Sequence, residues 1–130
     1  MSALSNYAEK LLLDWLMTTG SATRPTAWYV GLFTAAPSDS GGGTEVSGNG
    51  YNRQSATFAA ATSGAGTTDN SAAVTFTASG GSWGTITHIG IFDALTTGNL
   101  LWHGAMTASK TIADGDTLEF AIGNIDLTLA

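Results

Sequence analysis

A mainly β fold, an antiparallel β-sandwich or jelly roll with one N-terminal amphipathic α-helix, is predicted by three features of this 130-residue sequence. Helical spacing of apolar residues occurs once, in SNYAEKLLLDWLMTTG, and is gone by Pro25. Beyond that proline, short runs alternate apolar with polar residues. Turn signals separate the runs, and no second helix of crossover length follows, which excludes a doubly wound parallel sheet.

The helix comes first. Tyr7, Ala8, Leu11, Leu12, Trp15 and Leu16 recur at steps of three and four and therefore share one face. Asn6 with Glu9 three residues later marks a start, and Gly20 a stop. The apolar stripe has two readings: it covers the sandwich's own core, or it meets a partner. Strands are expected at 27–34, 51–61, 72–78, 85–92, 100–106, 118–122 and 125–129. The last two are the clearest, with Leu118, Phe120 and Ile122 on one face and Ile125, Leu127 and Leu129 repeating the pattern. Turns are expected at ASGGS (78–82), TTGN (96–99) and ADGD (113–116). The chain has the length of one domain, with residues 1–20 as a helix packed on the sandwich of residues 21–130.

Composition narrows the function. Four bases, Lys10, Arg24, Arg53 and Lys110, stand scattered against ten acids, giving a net charge of -6. Nucleic acid binding needs clustered bases to release counterions, so nucleic acid is not an expected partner. The longest apolar run, 11–17, is broken by Asp14 and is far shorter than the ~20 residues of a membrane span, so no membrane partner is expected. The same stretch lacks the basic start and cleavage pattern of a signal peptide. There is no cysteine, hence no disulfide, thiolate metal site or Cys nucleophile. Charged residues form only 11% of the chain, and Trp28, Tyr29, Tyr51, Trp83 and Trp102 lie outside the helix. That is more large amphipathic ring than one small core hides, so a homo-oligomer, a homotrimer, is expected. The interface candidates are Tyr7, Leu11, Leu12, Trp15, Trp28, Tyr51, Trp83 and Trp102. The rings could also form a sugar-stacking platform, but core and subunit contact is the favoured reading.

No motif marks a catalytic, cofactor or metal site. GGSWG (80–84) has the spelling of a nucleophile elbow with Ser82 in the centre, but that motif requires a following helix and a strand follows here, so a hairpin turn is expected. His88, near Asp93, and His103 sit in strands without a third ligand at metal spacing, and hydrogen-bonded structural roles are expected. ADGD lacks the spaced acids of a calcium loop and reads as a hairpin turn. GGGTEVSGNGYNRQ (41–54) has no Lys after its glycines, as a phosphate loop needs, and Arg53 stands where a dinucleotide fingerprint needs Gly. It reads as a built turn, its glycines supplying tight conformations while Glu45 and Arg53 pin it to the sheet.

Four stretches carry a resemblance that spans nearly the whole chain in order: the helix AEKLLLDWL, then WYVGLFTAAPSDSGGGTEVSGNGYNRQSATF, WGTITHIGIFDALTTGNLLWHGAM and GDTLEFAIGNIDLTL. Together they resemble a family of small bacteriophage structural proteins usually labelled phage tail-fibre-like. The resemblance implies a virion protein assembled in the host cytoplasm, with no catalytic residues and no cofactor. The sequence has no heptad run, collagen repeat or β-helical repeat from which to build a shaft. A capsid decoration (cement) protein is therefore expected, its partner the major capsid protein. The alternative is a tail-fibre or tail-tip module that binds tail proteins and a host receptor.

Overall fold

A computed structural model describes residues 2–129. Its elements, in order, are β1 (Ser2–Leu4), α1 (Asn6–Met17), β2 (Trp28–Ala35), β3 (Thr44–Glu45), β4 (Gln54–Ala56), β5 (Thr67–Asp69), β6 (Val74–Thr77), β7 (Gly84–Phe92), β8 (Leu100–Ile112), β9 (Thr117–Phe120) and β10 (Asp126–Thr128). The fold is mainly β with antiparallel sheets and one short N-terminal helix. The main sheet has the order β1-β8-β7-β2-β3, and β4 shares one side of β2 with β3. Two ribbons, β6–β9 and β5–β10, complete the structure.

Period-two alternation explains the core. Val30 and Leu32 of β2, Ile86 and Ile91 of β7, and Ile112 of β8 are buried in one cluster with Val74, Phe76, Leu118, Phe120, Ile125 and Leu127 from the ribbons. Each such side chain contributes roughly 1.5–3 kcal/mol by leaving water. Asn70 is fully buried at the junction of the two ribbons. Its Nδ2 donates to the carbonyls of Ala72 and Ala121, both at 2.9 Å, and its Oδ1 accepts from the Ile125 N–H at 2.8 Å. A second cluster, Phe33, Phe92 and Leu100, covers the opposite face of the main sheet. It forms because Gly31 and Gly90 are direct cross-strand neighbours. A Cβ on Gly90 would lie 2.9 Å from Leu100 Cδ1 and 3.0 Å from both phenylalanine rings.

Several elements differ from their sequence expectation. Residues 51–61 do not make one strand; pairing with β2 ends at Ala56, and Phe58 then bridges Asn70. The chain leaves the main sheet there for the β5 ribbon, where Ala59 N–H donates to Asp69 O at 2.9 Å. β8 continues six residues past Met106, because after a register shift Lys110–Ile112 pair again with Gly84–Ile86. The short strands β1, β3 and β5 are too brief for alternation to announce them. Of the three turn signals, TTGN closes the β7–β8 hairpin. ASGGS and ADGD instead carry the chain from a ribbon to the main sheet and back, since β6 pairs with β9 and β7 with β8. The helix starts one residue after its cap, Ser5, and ends at Met17 rather than Gly20.

Candidate interaction surface

The first turn of α1 is fixed to the main sheet by its cap. Ser5 Oγ donates to Leu100 O and accepts from Ala8 N–H, while Ser5 N–H donates to Leu101 O at 2.9 Å. Asn6 N–H is satisfied by Asp39 O at 2.9 Å, and the Asp39 carboxylate also meets His103 Nε2 at 2.8 Å. Ala8 is buried and Leu11 and Leu12 are half-buried. The body ends there, and the helix does not. Trp15 is 65% exposed, Leu16 71% and Met17 72%, with Leu13 and Tyr7 also exposed. The apolar stripe is thus not buried as a whole: its first half covers the fold and its last turn stands in water.

Beside the helix lies an apolar groove of about 320 Å³. Leu4, Ala8, Leu11 and Leu12 form one wall, Trp28, Leu101 and Trp102 contribute from β2 and β8, and Leu127 and Leu129 from the β10 end. The groove therefore joins four of the sequence's candidates, Leu11, Leu12, Trp28 and Trp102, with Trp15 projecting past it. Tyr51 and Trp83 do not belong to this surface. Trp83 is buried, its ring edge-on to Tyr51 at 5.5 Å and its Nε1–H donating to Asn49 O at 3.0 Å. Tyr51 stacks on Phe76 at 6.4 Å inside the core. Tyr7 is exposed but does not line the groove. Sequence reasoning missed Leu13, Met17, Leu101 and Leu129 here; the run LLLDWLM, apolar over most of its circumference with Asp14 as its one charge, was the available signal for the helix end.

The stretch 41–54 folds back on the sheet. Gly41, Gly42, Gly43, Gly48 and Gly50 all have positive φ, and a Cβ on Gly43 would stand 2.7 Å from Pro37 N. Arg53 grips Glu45 with two prongs, Nε to Oε1 and Nη2 to Oε2, each 2.8 Å. Its Nη1 donates to Ala94 O and Thr97 O, and its guanidinium carbon lies 3.4 Å from the centre of the Phe92 ring. The arginine so ties the β7–β8 turn as well as its own loop. Tyr51 Oη donates to Glu45 Oε1 at 2.8 Å and accepts from Leu32 N–H at 2.9 Å. Burial, with Glu45 beside it, holds the Tyr51 phenol well above its ordinary pKa.

Other candidate groups are engaged with the backbone. Ser82 Oγ donates to Ile112 O at 2.8 Å, and β7, not a helix, follows it. Asp114 and Asp116 accept from the N–H groups of Gly80 and Ala113. Asp93 holds Asn99 through its N–H and side-chain amide, and His88 Nδ1 lies 2.8 Å from Thr87 Oγ1. Among the described residues no group of three His, Cys, Asp or Glu is placed to hold a metal ion. No helix among them is long and apolar enough to cross a membrane.

In a comparison with protein families, residues 3–128 match the family described as podophage GP4 fiber I protein gp80. The chain belongs to this family. A comparison with curated proteins finds no match. Membership makes it a phage structural protein of a fibre family. The matched span includes the groove-lining residues from Leu4 to Leu127 and stops one residue short of Leu129.

Proposed function

We propose that this chain is a non-enzymatic module of the phage's fibre apparatus, working through protein–protein contact. The carrying observation is the match of residues 3–128 to a family described as a fibre protein. The geometry supports the same reading. An apolar groove open to solvent lies beside a protruding helix end, a form suited to another protein chain rather than to a polar small molecule. The groove has almost no polar lining with which to orient a sugar ring, so its tryptophans favour a protein contact over a glycan. Of the two virion placements raised by the sequence, the family description favours the fibre and lends nothing to capsid decoration.

Copy number and position test this reading. A fibre module is tied to the tail axis and is expected in a few to a few tens of copies per particle. Gold-labelled antibody against the chain should mark the tail region of intact particles, and particles lacking the chain should keep stable heads but adsorb poorly. Label spread over the head, with a copy number comparable to the major capsid protein, would overturn the fibre reading in favour of cement.

A further inference from the structure

We propose that the exposed end of α1 and the groove beside it are two halves of one contact between copies of this chain, the last helical turn of one copy seating in the groove of another. The turn is apolar over most of its circumference, Asp14 with its partner Lys10 occupying the remaining side. At 3.6 residues per turn, Trp15 and Leu16 continue the stripe of Leu11 and Leu12, while Leu13 and Met17 project from the other side. A flat partner surface would cover half of such a turn and leave the rest in water; a concave one covers both sides. The chain itself offers the concave surface, in the groove floored by Trp28, Trp102 and Leu127.

Within one copy the two halves have no route to each other. Ser5 is bonded to Leu100 and Leu101, so the start of α1 is fixed, and Ala8, Leu11 and Leu12 already form the groove wall. Leu13, Trp15, Leu16 and Met17 do not line that groove and stand exposed. A second copy supplies what each half lacks.

Area agrees with this occupant. With Tyr7, Leu13, Trp15, Leu16, Met17 and Leu129 each 41–72% exposed, the patch presents on the order of 600–800 Å². Each side of a stable standard interface contributes about 800 Å², whereas the largest apolar patch of a typical monomer is about 300–600 Å². Charge is compatible as well. The charged residues of the helix are Glu9, Lys10 and Asp14, and Lys10 Nζ is paired with Asp14, so the stripe enters a contact without stranding an ion. A lipid surface fits less well, because the stripe is bordered by one lysine and two acids on a chain of net charge -6.

Sedimentation equilibrium of the full chain at micromolar concentration tests the proposal. A mass two or three times 13.2 kDa is expected, the first from a two-fold exchange and the second from a closed ring. The double variant Trp15→Glu, Leu16→Glu should return to the single-chain mass and still melt in one cooperative transition, since both side chains already stand in water within one copy. Ala61→Trp, which fills the groove from an exposed position, should do the same from the other half. Because the chain has no cysteine, mixing Leu16→Cys with Ala61→Cys chains should give disulfide-linked pairs holding one of each. A wild-type chain that stays single, or an oligomer indifferent to all these variants, would overturn the proposal. So would a single chain that uses Trp15 to bind a different virion protein or to float with anionic vesicles. The contact is independent of position in the virion, so its failure leaves the fibre assignment to its own test.

Discussion

Arg53 makes four polar contacts and one ring contact with a side chain only 9% exposed, against a Glu45 side chain 25% exposed. Truncation would leave the Glu45 carboxylate with only the Tyr51 hydroxyl and two carbonyls without the Arg53 donor, so Arg53→Ala is expected to cost about 3 kcal/mol, well above the ~1 kcal/mol of an exposed pair. Arg53→Lys keeps the charge but not the fork and should recover only part of it. Denaturant midpoints check both, and a loss under about 1 kcal/mol for the alanine would show that the pair is dispensable. Tyr51 gives a pH prediction. Its phenol pKa is raised in the folded state, so the folded state holds the proton more tightly than the unfolded chain does. The associated stability is fully present below the unfolded value of about 10 and is lost as pH rises above it. Melting temperature should therefore fall on the alkaline side of that value. Tyr51→Phe should weaken this dependence while costing about 1–2 kcal/mol at neutral pH, because Leu32 N–H loses its acceptor.

At the scale of elements, α1 shows that amphipathic patterning and burial are separate facts. The stripe from Tyr7 to Leu16 has helical period throughout, yet the body of the protein reaches only as far as Leu12. What keeps a 12-residue helix formed with so little cover is its anchored start, since helices this short are marginal alone. Ser5→Ala removes the cap and the tie to Leu100 together and should cost about 1–2 kcal/mol. Amide exchange over residues 6–17 should rise more than in β7 or β2; equal protection with and without the hydroxyl would mean that packing of Ala8 alone holds the helix.

In the whole molecule, one cluster of side chains joins the main sheet to both ribbons, so neither ribbon has a core of its own to fold around. Asn70 sits where the ribbons meet and satisfies groups on either side of the turn between β9 and β10. Asn70→Ala leaves buried N–H and C=O groups unpaired and is expected to cost about 3 kcal/mol. The loss should appear as a lower midpoint of a single transition, with calorimetric and van't Hoff enthalpies still equal. Separate melting of the ribbons would contradict a shared core.

Class and helix were legible in the sequence because period and turn chemistry are local: 3.6 before Pro25, two after it, and glycines at most positions where the backbone takes positive φ, Asn49 and Thr97 being the others. Local pattern also sufficed to bring Glu45 and Arg53 into one argument, eight residues apart. It did not say which strand pairs with which, because alternation fixes a strand's face and not its neighbour. For that reason ADGD and GGSWG read as hairpins and became crossovers, and residues 51–61 read as one strand and became a change of sheet. The interface candidates divide along the same line. Trp83 and Trp102 are alike as sequence, each an aromatic at a strand or turn, yet one is sealed in the core and the other lines an open groove. The count of large rings outside the helix raised the expectation of surplus apolar surface, yet those five rings are buried or half-buried, and the last turn of α1 is exposed instead. Only the tertiary structure decided this, because burial depends on what packs across from a residue and not on the residue itself.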